Sequence, residues 1–124
     1  MLTKLLMLKK RREQGIRKKI GEANIILQDV EKALEGARCQ QQNILDNWQK
    51  QHVAQGQMTH EELTAWVNAL QILQSQYADM GRQCLAYEKK RAECYEALAA
   101  LQQELRQVIT SQEKLNYMIN EPGG

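Results

Sequence analysis

The chain has 124 residues, a net charge of only +2 and 43% hydrophobic residues, which suits a single domain. It has no Phe and one Pro, Pro122, and its apolar set is mainly Leu, Ile and Ala in a background of Gln, Glu, Lys and Arg. That composition belongs to long helices and excludes a strand-rich core. A mean hydropathy of -0.62 beside so many apolar residues spreads them along a stripe and leaves most of the surface polar.

The charge is unevenly placed. Residues 4–19 hold Lys4, Lys9, Lys10, Arg11, Arg12, Arg17, Lys18 and Lys19 against the single acid Glu13, so this segment carries +7 and the remainder -5. Such asymmetry steers a chain onto an acidic partner. The start, Met1 to Leu8, is apolar before it is basic, the reverse of a secretory signal, and no stretch approaches the ~20 apolar residues of a membrane span, so a cytoplasmic location is expected.

The first half carries a seven-residue repeat in two registers: Leu6, Glu13, Ile20, Leu27, Leu34, Gln41 and Trp48, and Leu2, Lys9, Ile16, Ala23, Val30, Ala37 and Ile44. It is good from Ile16 to Trp48. Between Lys9 and Glu13 the seam turns charged, and looser packing is expected there. Gln55, Gly56, Gln57 and Met58 then break the pattern, and Thr59 with Glu62 forms a capping box that opens a second helix. His52 and His60 flank this break as solvated loop residues, without the spacing of a metal pair.

The second half is clearer. Leu63, Leu70, Tyr77, Cys84, Arg91, Leu98, Leu105, Gln112 and Ile119 alternate with Trp66, Leu73, Met80, Tyr87, Cys94, Leu101, Val108 and Leu115, and only Arg91 and Gln112 break the apolar rule. A repeat held for about eight heptads specifies a left-handed coiled coil. A short connection between two long helices makes them antiparallel neighbours. The expectation is an all-α fold, a long antiparallel two-helix coiled-coil hairpin forming one domain over 1–124. Helix 1 covers about 2–54, the turn about 55–59, helix 2 about 60–119, and the tail 120–124 frays.

If the turn centres near residues 56 to 58, facing residue numbers sum to about 114. This puts Trp66 near Trp48, Leu70 near Ile44, Tyr77 near Ala37, Met80 near Leu34, Tyr87 near Leu27, Cys94 near Ile20 and Leu98 near Ile16. Arg91 falls beside Ala23 and Glu22, which supplies its charge partner. The expected hairpin core is Ile20, Leu27, Leu34, Ile44, Leu63, Leu70, Leu73, Tyr77, Met80, Tyr87, Leu98, Leu101 and Leu105. Cys39, Cys84 and Cys94 have neither zinc nor disulfide spacing and read as small packing residues without an intrachain disulfide.

Nothing in the sequence supplies a catalytic set, a phosphate loop or a cofactor motif, so no enzyme, cofactor, metal or small-molecule ligand is expected. The basic cluster reads as a solvated face, as a patch for an acidic protein surface, or as a nucleic-acid or anionic-membrane site; the last is disfavoured because no aromatic residue is interleaved for stacking. Trp48 and Trp66 read as a clasp closing the hairpin or as a partly exposed anchor for a partner.

The opening Met1-Leu-Thr-Lys-Leu-Leu-Met-Leu-Lys-Lys-Arg-Arg-Glu-Gln14, in a short helical hairpin with a Gln-rich middle, resembles the central stalk proteins of bacterial type III secretion ATPases, the FliJ and YscO (SctO) family, with an injectisome member preferred. The resemblance implies that the joined N- and C-terminal ends enter the pore of a hexameric ATPase and couple to its hydrolysis, and that the other end reaches the export gate. It implies ATPase contacts at Lys9, Lys10, Arg11, Arg12, Arg17, Lys18 and Lys19, and gate contacts around Trp48 and Trp66. Secretion chaperones would be further partners, and the isolated chain would be a monomer at the periphery of the inner-membrane apparatus. The competing reading is a chaperone or adaptor that dimerises into a helical bundle through Val67, Tyr95 and Ile109, which widen the stripe of helix 2.

Overall fold

The computed structural model describes residues 1–52 and 58–120. Two α-helices account for nearly all of them: α1, Leu2–His52, and α2, His60–Asn120. They pack against each other as a hairpin, and no strand occurs among the described residues. The start of α2 is the capping box that the sequence announces. The Glu62 amide donates to Thr59 Oγ1 at 3.1 Å and the Thr59 amide donates to Glu62 Oε2 at 3.3 Å, so two orphan donors are satisfied reciprocally. Residues 53–57, with most of the expected turn, and 121–124, with Pro122, lie outside the described residues.

Within the hairpin the contacts divide the chain into two compact units. The turn unit, Asp29–Arg91, has its core at Leu34, Ala37 and Cys84, with Met80 and Tyr87 packed against them. Leu34, at 2% exposure, is the most deeply buried side chain. The Arg38 guanidinium donates to Glu88 across the helices at 2.9 Å. Both side chains are substantially exposed, so this flanking pair favours register more than it stabilises.

The terminal unit comprises Met1–Gln28 and Ala92–Gly124. Leu6, Ile16, Leu27, Leu98, Val108 and Leu115 are buried there, all of them seam positions of the heptad pattern. The seam expected to loosen between Lys9 and Glu13 is flanked by two of these, Leu6 and Ile16, and between them Glu13 is held by Gln112, whose side-chain amide donates to Glu13 Oε1 at 2.9 Å. Two polar seam residues, one from each helix, thus satisfy one another.

The register differs from the expected one. In the turn unit Cys84 reaches Gln41, Arg38 reaches Glu88, and a Cβ at Gly81 would meet Gln41, so facing numbers sum to about 122–126, roughly one heptad above the value of about 114 that a centred turn gives. The physical reason is the repeat itself. A shift of seven residues puts an equivalent apolar position opposite each seam residue, so hydrophobic matching does not distinguish the two. Leu63 is 46% exposed and Tyr77 40% exposed, which removes both from the expected core. Ile20, Ile44, Leu70, Leu73, Met80, Tyr87, Leu101 and Leu105 are half-buried, and Leu27, Leu34 and Leu98 are buried. Arg91 is half-buried.

Four glycines lie inside the helices, where each costs up to about 1 kcal/mol relative to Ala. A Cβ at Gly15, Gly21 or Gly36 would meet nothing within 4 Å, whereas one at Gly81 would come to 3.2 Å from Gln41 Nε2. Gly15→Ala, Gly21→Ala and Gly36→Ala should each raise unfolding free energy by about 0.4–1 kcal/mol in urea titration. Gly81→Ala should gain less, because Gln41 must move; equal gains at all four positions would contradict the packing described at Gln41.

Candidate functional site

The basic segment lies on the first turns of α1. Lys10, Arg11, Arg12, Arg17, Lys18 and Lys19 are exposed and Lys9 is half-buried. Consecutive helical positions step by about 100°, so these cations surround α1 on every side except the one turned to α2. Glu13 stands within this cluster; its Oε2 accepts from Arg17 Nε at 2.8 Å, and Lys10 also acts on its charge.

Beside the cations stands an apolar segment. Leu5, Met7 and Leu8 are exposed, while Leu6 between them is buried in the seam. Four consecutive apolar residues cover the whole circumference of α1. On the last turns of α2, Tyr117, Met118 and Ile119 are exposed as well. Thr3 and Lys4 before this belt are exposed, and an apolar belt of this kind is stable when it is enclosed. The sequence reading saw the apolar start of α1 but took it only as the preamble to the basic run. The exposed close of α2 was missed, because Ile119 reads as seam and Tyr117 and Met118 were not weighed.

The two tryptophans occupy different settings in the turn unit. The indole of Trp66 donates to the Gln51 carbonyl and ties α2 to the last turn of α1. That carbonyl lies among the final four of α1, which lack a partner within the helix. Trp48 lines a groove of about 260 Å³ with Leu45, Leu73, Gln74 and Tyr77. Trp48 lies there beside Leu73, about one heptad from the Trp66 position expected for a clasp.

Cys39, Cys84 and Cys94 are free thiols, exposed, buried and half-buried in turn. Cys84 donates weakly to Gln41 Oε1 at 3.9 Å, which gives this polar seam residue a partner on α2. His60 opens α2 with its side chain exposed. Among the described residues no group of three or more His, Cys, Asp or Glu is arranged to hold a metal ion, and no helix is long and apolar enough to cross a membrane.

Comparison with protein-family models, with curated proteins and with solved structures finds no match.

Glu13 sits among hydrogen-bond donors that favour its charged form. Its hydrogen bonds from Arg17 and then from Gln112 hold the carboxyl below the usual carboxylate value. Between the depressed and the ordinary value the unfolded chain binds more protons than the folded one, so the stability this group adds is complete above the ordinary range. It fades as pH falls through the depressed value. Glu13→Gln should flatten the acid limb of a stability profile measured by circular dichroism below about pH 4.5. An unchanged acid limb would mean that the Glu13 bonds do not persist in solution.

Proposed function

We propose that this chain is the central stalk of a type III secretion ATPase complex, the terminal unit entering the pore of a hexameric ATPase and the turn unit addressing the export gate. The observation that carries the reading is the terminal surface: apolar on every side at Leu5, Leu6, Met7 and Leu8, with exposed cations at Lys10, Arg11, Arg12, Arg17, Lys18 and Lys19 directly after it. A flat partner covers one face of such a helix. A ring covers all of them, and acidic loops around its mouth would meet the cations.

In this role the chain acts by contact and does no chemistry of its own. One asymmetric hairpin in a six-fold ring cannot touch all subunits alike, so it biases which subunit holds which nucleotide state. ATP turnover in turn biases the position of the hairpin, since coupling free energy is reciprocal. Around the turn, the half-buried Trp48 with the exposed Tyr77 offers an aromatic anchor to the gate.

The bundle reading draws on the exposure of Val67 and Tyr95. It is weaker, because the other exposed apolar residues, Ile25, Ile26, Ile72 and Leu85, fall on different heptad positions and form no stripe for a second hairpin. Sedimentation separates the two: a monomer near 14.3 kDa accords with the stalk, a dimer with the bundle.

Replacing Arg11 and Arg12 with Glu reverses two exposed charges outside the seam, so helicity by circular dichroism should be unchanged. Stimulation of the hydrolysis rate of a co-purifying hexameric ATPase should be lost, and its retention would refute the stalk assignment. Trp48→Ala should weaken binding to the gate ring in a pull-down while leaving ATPase binding intact. Trp66 is a poorer probe, since its loss also frees the Gln51 carbonyl.

A further inference from the structure

Where the start of α1 meets the close of α2, the terminal unit carries one surface built from both helices. The Glu13 to Gln112 hydrogen bond sets the local alignment, with facing numbers near 125, so Leu8 stands level with Tyr117 and Met7 with Met118. All four side chains are exposed, Met7 at 57% and Tyr117 at 68%, and Leu5 and Ile119 extend the same apolar surface. Residues 5–8 span about 6 Å along the helix axis. That height matches the ~5–10 Å to which apolar side chains of interfacial helices enter the boundary between lipid headgroups and acyl chains.

The charges are layered behind this belt. Lys10, Arg11 and Arg12 stand exposed on the next turn, and Arg17, Lys18 and Lys19 two turns further on. Residues 104–119 of α2 offer no counterweight, since Glu104 and Glu113 are offset by Arg106 and Lys114. The end as a whole keeps the +7 of the basic segment. Tyr117 adds an amphipathic ring at the level of the belt, the residue type that settles among lipid headgroups. Nucleic acid would answer the cations and leave Met7 and Leu8 in water, whereas an anionic lipid surface answers both layers.

We infer that this end of the terminal unit docks on an anionic lipid surface, with Leu5, Met7, Leu8, Tyr117 and Met118 entering the headgroup boundary and the cations from Lys10 to Lys19 lying against lipid phosphates. A fluid surface closes around a belt on every side, as a ring does. Lys4, just ahead of the belt, carries its ammonium back to the phosphates on a long aliphatic stem. Neither layer suffices alone, because a shallow apolar belt holds weakly and stable attachment takes a second, polybasic signal. The inference goes beyond the stalk reading and does not need it. A ring and a lipid surface cover the same residues, so the end occupies them in turn and never together.

Co-sedimentation of the full chain with lipid vesicles tests it, at about 0.1 M and about 1 M salt, between which the screening length falls from about 10 Å to about 3 Å. The chain should sediment with mixed phosphatidylglycerol and phosphatidylcholine vesicles at the lower salt, far less at the higher, and not with phosphatidylcholine alone. Arg11→Glu with Arg12→Glu should weaken binding at least about tenfold. Met7→Ser with Leu8→Ser on α1, and separately Tyr117→Ser with Met118→Ser on α2, should each weaken it about tenfold. These side chains are exposed, so circular dichroism should show the helices retained in every variant. No binding to the anionic vesicles, or equal binding to phosphatidylcholine, overturns the inference. So does parental binding by both serine pairs, since the cations would then adsorb without the belt. Stimulation of a hexameric ATPase by a chain that ignores vesicles overturns it too and leaves the stalk reading standing; vesicle binding without stimulation supports it and removes the stalk.

Discussion

The meeting of two heptad seams across the hairpin is the contact on which everything else depends. No third element exists among the described residues to bury an apolar face, so each helix is stable only through the other. Leu34, Ala37 and Cys84 with Met80 and Tyr87 form the seam of the turn unit. Leu6, Ile16, Val108 and Leu115 do the same work in the terminal unit. Such a seam fixes direction and face well. It fixes axial position poorly, because every seventh residue offers the same surface.

This explains how much of the structure could be read from the residues. The helices, the capping box at Thr59 and Glu62 and the antiparallel seam follow from period and local chemistry, neither of which depends on which heptad faces which. The register does depend on it, and assuming a turn centred near Gly56 selects the wrong heptad. The information that could have corrected it was in the sequence. Glu13 and Gln112 are among the few polar residues of the two seams, and requiring these two to meet places the helices as they are found. Polar residues in a coiled-coil seam are few, and their pairing carries the axial information that the hydrophobic majority lacks.

The candidate site was legible to a different degree. A run of Lys and Arg is visible in any sequence, and the structure adds that those cations encircle α1. The apolar surface next to them was harder to read, since it joins the start of α1 to the end of α2, separated by the whole chain. Leu8 and Tyr117 look ordinary apart; together they are exposed apolar residues at the same end of the terminal unit. Trp66 was ambiguous for a related reason: in the sequence it is a seam residue, whereas in the structure its polar edge caps an unpaired carbonyl of α1.

A hairpin in the proposed stalk role must hold its shape and yet respond to a partner. Tight hydrophobic packing supplies the first property and works against the second, because an apolar seam has no group whose state an encounter alters. The polar layer reconciles the two. Glu13 is bound by Arg17 on its own helix and by Gln112 on the other, and its side chain is still 22% exposed, so an incoming charge reaches a group that also ties the helices together. In the stalk proposal, an acidic surface that competes for Arg17 loosens its pair with Glu13, a group that also holds α2 through Gln112. A carboxylate placed within a basic segment thus ties the charged surface of α1 to its packing on α2.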